Sequence, residues 1–252
     1  MKDSRKYSPK ILKLFRTLKQ KGTVGDIPKY TDPVDAVVFA LTSENMTVGI
    51  SDRVFRRMQN HFVDFNDLRV SRPEEIVDVL KDDSAQTEQS VRAIKQVLNA
   101  IYDKFDRVSM ESFVHEGKRQ AHKELTEIEG ITPFAVSYCF LTALDGHAIP
   151  MTKKMLEYLH ENKLVHPEAT ESEIAGFLER QIGASDAYGF YWLLRQEAEN
   201  PTVLMGDAKQ SSAAKKTTKT KMKKTATKKS SKKVTKKKTA KKKTAKKQIK
   251  KK

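Results

Sequence analysis

The chain has 252 residues, a formal net charge of +17 and a single cysteine, Cys139. A body of about 150 to 200 residues buries roughly 70% of its unfolded surface, so a folded domain with a real core is expected. One cysteine excludes an intrachain disulfide, a multi-cysteine zinc cluster and a four-cysteine iron–sulfur cluster.

In chain order, the opening MKDSRKYSPK lacks the apolar core of a signal peptide, and no apolar run suits a membrane span. The chain therefore reads as soluble and unexported. Asp32-Pro33 supplies an N-cap with proline in the first turn, and Val34, Val37, Val38 and Leu41 follow at helical spacing, predicting a helix from about Pro33 to Glu44. Pro73 with Ile76, Val79 and Leu80 marks a short helix, and Val91, Ile94, Val97, Leu98, Ile101 and Phe105 mark a longer amphipathic one. A helix ending near Glu127 meets the turn Ile128, Glu129, Gly130, Ile131, Thr132, and a new helix starts at Pro133 with Thr132 as its cap. Thr170 and Glu173 form a capping box, Gly183 stands where a C-terminal cap belongs, and a last helix should run from about Ser185 to Glu199. About nine helices and no convincing strand make the class all-α.

Charge divides the chain more sharply than the secondary structure does. Residues 209–252 hold 22 lysines and no acid; removing their charge from +17 leaves residues 1–208 at about −5. This lysine, threonine, alanine and serine polymer cannot bury enough apolar surface to offset ordering entropy, so 208–252 reads as a disordered tail. Its repeated KKTA and TAKK units resemble linker-histone tails and lysine-rich nucleoid proteins. Two readings stand: an arm for polyanions, or a segment for solubility and localisation.

The turn at Gly130 joins two helices into a helix-hairpin-helix. Amides exposed at such a helix start suit a phosphate oxygen and read backbone rather than sequence; the same turn can also serve purely to connect helices. The aromatic run Tyr188, Phe190, Tyr191, Trp192 reads as a core stripe, and His115 and His122 as surface residues rather than metal ligands.

Taken together, DPVDAVVFALTSENMTVGISDRVFRRM, the hairpin and HAIPMTKKMLEYL resemble the endonuclease III-like DNA glycosylases of the helix-hairpin-helix (HhH-GPD) superfamily, over roughly Asp32 to Arg195. The resemblance implies a two-lobed helical body over 1–207. One six-helix lobe would span about 33–144, with the hairpin at 123–144; the second would combine 1–32 with 145–200. Double-stranded DNA, bound largely without regard to sequence, is the implied partner, with RNA as an alternative. No iron–sulfur cluster is implied, and the carbonyls of Ile128 and Ile131 can hold a monovalent cation. The place would be the cytoplasm, in association with a nucleoid or chromatin.

Residue by residue, the scaffold matches better than the chemistry. The family hairpin reads leucine-proline-glycine-valine-glycine; Ile128, Glu129, Gly130, Ile131 and Thr132 stand at those places. The lysine nucleophile of bifunctional members falls at Phe134, and the family aspartate at Thr152, which can cap a helix but supplies no charge. Asp145 is the nearest upstream carboxylate, and a shifted role for it is the alternative. The family's gap-filling amide falls in Ser43-Glu44-Asn45, with Asn45 able to shift into the role. The residues expected to meet DNA are Ile128, Gly130, Ile131, Thr132, Asn45, Lys153 and Lys154, with Lys223, Lys224, Lys236, Lys237, Lys241 and Lys242 of the tail. Three functions follow: a DNA-binding protein with lost catalysis, an active monofunctional glycosylase, or a helical interaction domain with a nucleic-acid-binding tail.

Overall fold

A computed structural model of the protein describes residues 1–82 and 84–202; the tail lysines lie outside the described residues. The described residues form twelve helices and no strand, against an expected nine or so. The additions include α4 (Phe65–Val70) and α7 (Ser112–His115), too short to display a helical period.

The first helix, α1 (Ser4–Lys21), buries Tyr7, Ile11, Leu14, Phe15 and Leu18 along one stripe. α2 (Pro33–Ser43) starts where Asp32 accepts the Val34 amide at 2.9 Å, and it is buried nearly all round. Around it lie α3 (Val48–His61), α4, α5 (Pro73–Leu80) and α6 (Ala85–Phe105), the last capped by Ser84. After α7 come α8 (Lys118–Thr126) and α9 (Pro133–Thr142), the arms of the hairpin. α10 (Lys153–Glu161), α11 (Glu171–Gln181) and α12 (Ala184–Glu199) complete the set. The capping box forms as expected, with Thr170 and Glu173 each bonded to the other's backbone. Gly183 departs from expectation: the C-cap of α11 is Ile182, and Gly183 is extended at φ −66° as the N-cap of α12.

α2 is the central post, packed against α9, α3 and α6, while α1 packs on α11 and α12. Helix α12 in turn touches α9 and α10, so the two ends of the described chain close over the same core. Burying one large apolar side chain is worth about 1.5–3 kcal/mol, and α9 alone contributes Phe134, Val136, Tyr138 and Leu141.

Candidate nucleic-acid site

The hairpin is built by local rules. Gly130 lies at φ +80°, in left-handed backbone, and a Cβ placed there would stand 2.7 Å from the Gln96 side chain. Thr132 is extended, and its hydroxyl accepts the Ala135 amide at 3.1 Å, closing the first turn of α9 behind Pro133. The same hydroxyl donates to Glu44 Oε2 at 2.8 Å. Its proton is therefore committed within the protein rather than free for a phosphate, a use that sequence alone did not foresee. Ile128 is buried and its carbonyl accepts the Ile131 amide at 3.3 Å; Ile131 is half-buried. Exposed Glu127 and Glu129 flank the turn, and Glu127 sits 4.0 Å from Lys104 and 3.8 Å from Lys123.

Behind the hairpin, Phe134, which the resemblance aligns with the family nucleophile, belongs to the core. Phe134 is 1% exposed, stacks on Tyr138 at 6.0 Å and touches Tyr191 at 6.3 Å between ring centroids. The Arg195 guanidinium lies 5.6 Å from the Phe134 centroid and is itself 1% exposed. All five of its N–H donors are used: Nε on Glu199, one amino group on the Ser43 and Tyr191 hydroxyls, the other on the Ser43 and Met46 carbonyls. Burial opposes the Arg195 charge, but Tyr191 and Glu199 outweigh it and hold the group above its ordinary value. Nearby, the Tyr30 and Tyr138 hydroxyls meet at 3.0 Å, and burial raises both well above the usual phenol range, so the pair stays neutral.

Arg195, Glu199 and Glu44 are the residues that sequence reasoning missed or underrated. Their signal was the i, i+4 series Tyr191, Arg195, Glu199 on a helix otherwise read as an aromatic stripe. Together they clamp the 44–47 turn between α2 and α3, since Glu199 also accepts the Val48 amide at 3.2 Å. Burial pushes the Glu44 carboxyl above its ordinary range; the Thr132 hydrogen bond partly offsets this, and Glu171 adds to it. Asn45 is exposed on the same turn.

Thr152 is 5% exposed and accepts the Met155 amide at 3.3 Å, so it caps α10 as expected. The structure brings this helix start to the hairpin: Pro133, Ser137, Ile149, Met151, Glu171 and Glu179 border one cavity of about 400 Å³. Lys153 and Lys154 project from the first turn of α10, both exposed. Asp145 is not brought there. It sits exposed at φ +49° beyond the opposite end of α9, where its carbonyl accepts the Lys118 ammonium. The ten residues of α9 separate the two ends by about 15 Å.

The fold is that of endonuclease III and related DNA glycosylases. A non-covalent endonuclease III–DNA complex matches with a TM-score of 0.59 at 14% identity, over 75% of this chain and 85% of that one. The Clostridium acetobutylicum 8-oxoguanine glycosylase/lyase, solved with double-stranded DNA, gives 0.58 at 14%, over 79% and 71%. The H. pylori 3-methyladenine DNA glycosylase bound to 1,N6-ethenoadenine gives 0.58 at 15%, over 78% and 99%. No family model matches the sequence, and no curated protein is significantly similar to it.

Proposed function

We propose that the protein binds duplex DNA on an endonuclease III-like scaffold, in a DNA repair setting, and has given up base-excision chemistry. One observation carries the loss: the family nucleophile position is filled by Phe134, sealed at 1% exposure beneath a saturated Arg195. No nucleophile stands there, and an extruded base would have to displace a packed aromatic cluster to reach the spot. Thr152 keeps the helix-capping half of the aspartate's work and lacks the charge that would stabilise a cationic sugar. The 22 lysines of 209–252 supply sequence-independent attraction to phosphates. Solved neighbours on DNA support the choice of partner.

The test is to incubate the full chain with duplexes carrying uracil, an oxidised pyrimidine, a mismatch or an alkylated purine. Binding without release of any free base is expected, with log affinity falling on log salt by about 0.9 per phosphate contacted on duplex DNA. Deleting the residues after Ala208 should flatten that slope; an unchanged slope would remove the lysine segment from the proposal.

A second reading, a working monofunctional glycosylase, has one observation in its favour. Glu44 is a half-buried carboxylate with a raised pKa, bonded to the hairpin cap Thr132, two positions before Phe134. Release of a base that disappears in Glu44→Gln would establish this reading over the first. Loss in Asp145→Asn instead would return the role to the exposed carboxylate.

A further inference from the structure

We propose that the outward face of α1 is a second, preformed surface for the sugar–phosphate backbone of duplex DNA, distinct from the hairpin and from the lysine-rich segment. The proposal rests on the DNA-binding reading above and deepens it. The charge distribution points to it first. No acid occurs from Ser4 to Gly25, and the eight basic residues among 1–21 face a single acid, Asp3. With residues 1–208 at about −5, the stretch 22–208 therefore carries about −12. The body has a positive helix laid on an acidic remainder.

Packing then sorts the basic side chains into two sets. Lys10 and Lys19 are tied down, Lys10 on the Lys163 carbonyl at 2.8 Å and Lys19 on Asp186 at 2.6 Å. Lys2, Arg5, Lys6, Lys13, Arg16 and Lys21 are exposed, and no ion pair reaches them among the described residues. At 100° per residue Arg5, Lys6, Lys13 and Arg16 leave α1 on the side opposite the Tyr7, Ile11, Leu14 stripe that fastens it to α11 and α12, with the Lys6 ammonium folding back to 5.5 Å from the Tyr7 ring and Lys2 preceding the helix. Arg5 and Arg16 are eleven residues apart, about 16 Å along the axis, which matches roughly five nucleotides of rise on one DNA strand.

The chemistry of this face selects its partner. A membrane-surface helix buries its apolar side in lipid, but the apolar side of α1 is in the protein core, and Leu12 and Pro9 are the apolar residues exposed on the outer side. Flexible ammonium and guanidinium groups on a convex rod suit phosphate oxygens, with nothing shaped to read base edges. The hairpin has the opposite charge, with Glu127 and Glu129 exposed beside its amides and Glu44 behind them. On this scaffold α1 is the stronger phosphate surface of the two.

The experiment uses the full chain with Lys2→Glu, Lys6→Glu, Lys13→Glu and Arg16→Glu combined, helicity being checked by circular dichroism. Four lost contacts should flatten the salt slope for a plain duplex by about 3 to 4. In parallel, a photocrosslinker placed on Lys13→Cys should capture duplex DNA well above one on Val63→Cys, which is 92% exposed beside acidic Asp64; Cys139 is buried and escapes labelling. An unchanged slope, or equal crosslinking from both positions, overturns the α1 surface while tail-driven binding survives. A wild-type chain that binds no duplex at all overturns the DNA-binding reading itself. Reduced binding to phosphatidylserine vesicles with the DNA slope intact also overturns the proposal, assigning the face to a membrane surface.

Discussion

Helices α9 and α1 both feed the core, but on opposite terms. Seven of the ten residues of α9 are buried, whereas α1 buries five of eighteen and turns the rest outward. α9 carries Phe134, which the resemblance aligns with a reactive lysine, and its ring serves packing. α1 has no assigned chemical position, yet it holds the densest positive charge of the described residues. The α1 surface proposed above would move contact with DNA from the cleft of this scaffold to its periphery, with the helical geometry kept. The interior is specified by shape and hydrogen bonding, the periphery by charge alone.

The comparison can be broken most forcefully at Arg195. Arg195→Met would strand Glu199, the Tyr191 hydroxyl and two carbonyls, and removing one partner of a buried ion pair costs about 3–5 kcal/mol. Urea denaturation would measure this; a loss near zero would mean that the clamp does not hold the interior together. Phe134→Ala should cost about 3 kcal/mol or more by leaving a cavity, without creating base release in the duplex assay. Gly130→Ala is smaller, about 1–2 kcal/mol, because it places a side chain in left-handed backbone against Gln96. Glu44 sharpens the contrast through pH. Its pKa is raised on folding, so the unfolded chain ionises first as pH rises, and stability falls from the ordinary glutamate range up to the raised value and stays lower above it. Glu44→Gln should therefore melt higher than wild type at neutral pH and level with it in acid; an equal gain at both would refute the titration argument. Last and least, the four α1 charge reversals should change stability by no more than about 0.5 kcal/mol, as exposed substitutions usually do.

What could be read from the sequence was local. Caps at Asp32, Thr132 and Thr170, and proline in the first turn of α2 and α9, act over three or four residues, and the structure has them all. Placing Phe134 at the nucleophile position of the resembled family used one position in a short motif, and the structure adds that its ring is buried in the core. The Arg195 clamp was not, because its partners Ser43 and Met46 lie about 150 positions away and are backbone carbonyls as much as side chains. Nor was the pairing of Thr132 with Glu44, 88 positions apart. The basic face of α1 was hidden by summation. Against 22 lysines at the far end, the body registered as mildly acidic; the basic stretch 1–21 was countable, but only the fold showed which of its side chains face outward.

The saturated guanidinium also sets a timescale. The Val48 amide is held by Glu199, Glu199 by Arg195, and Arg195 by both edges of the turn it spans. That turn has no independent way to open: freeing one amide means uncovering a buried charge. In deuterated solvent the Val48 proton should exchange only when the whole domain unfolds, so a few loop residues would report global stability as faithfully as the core helices do.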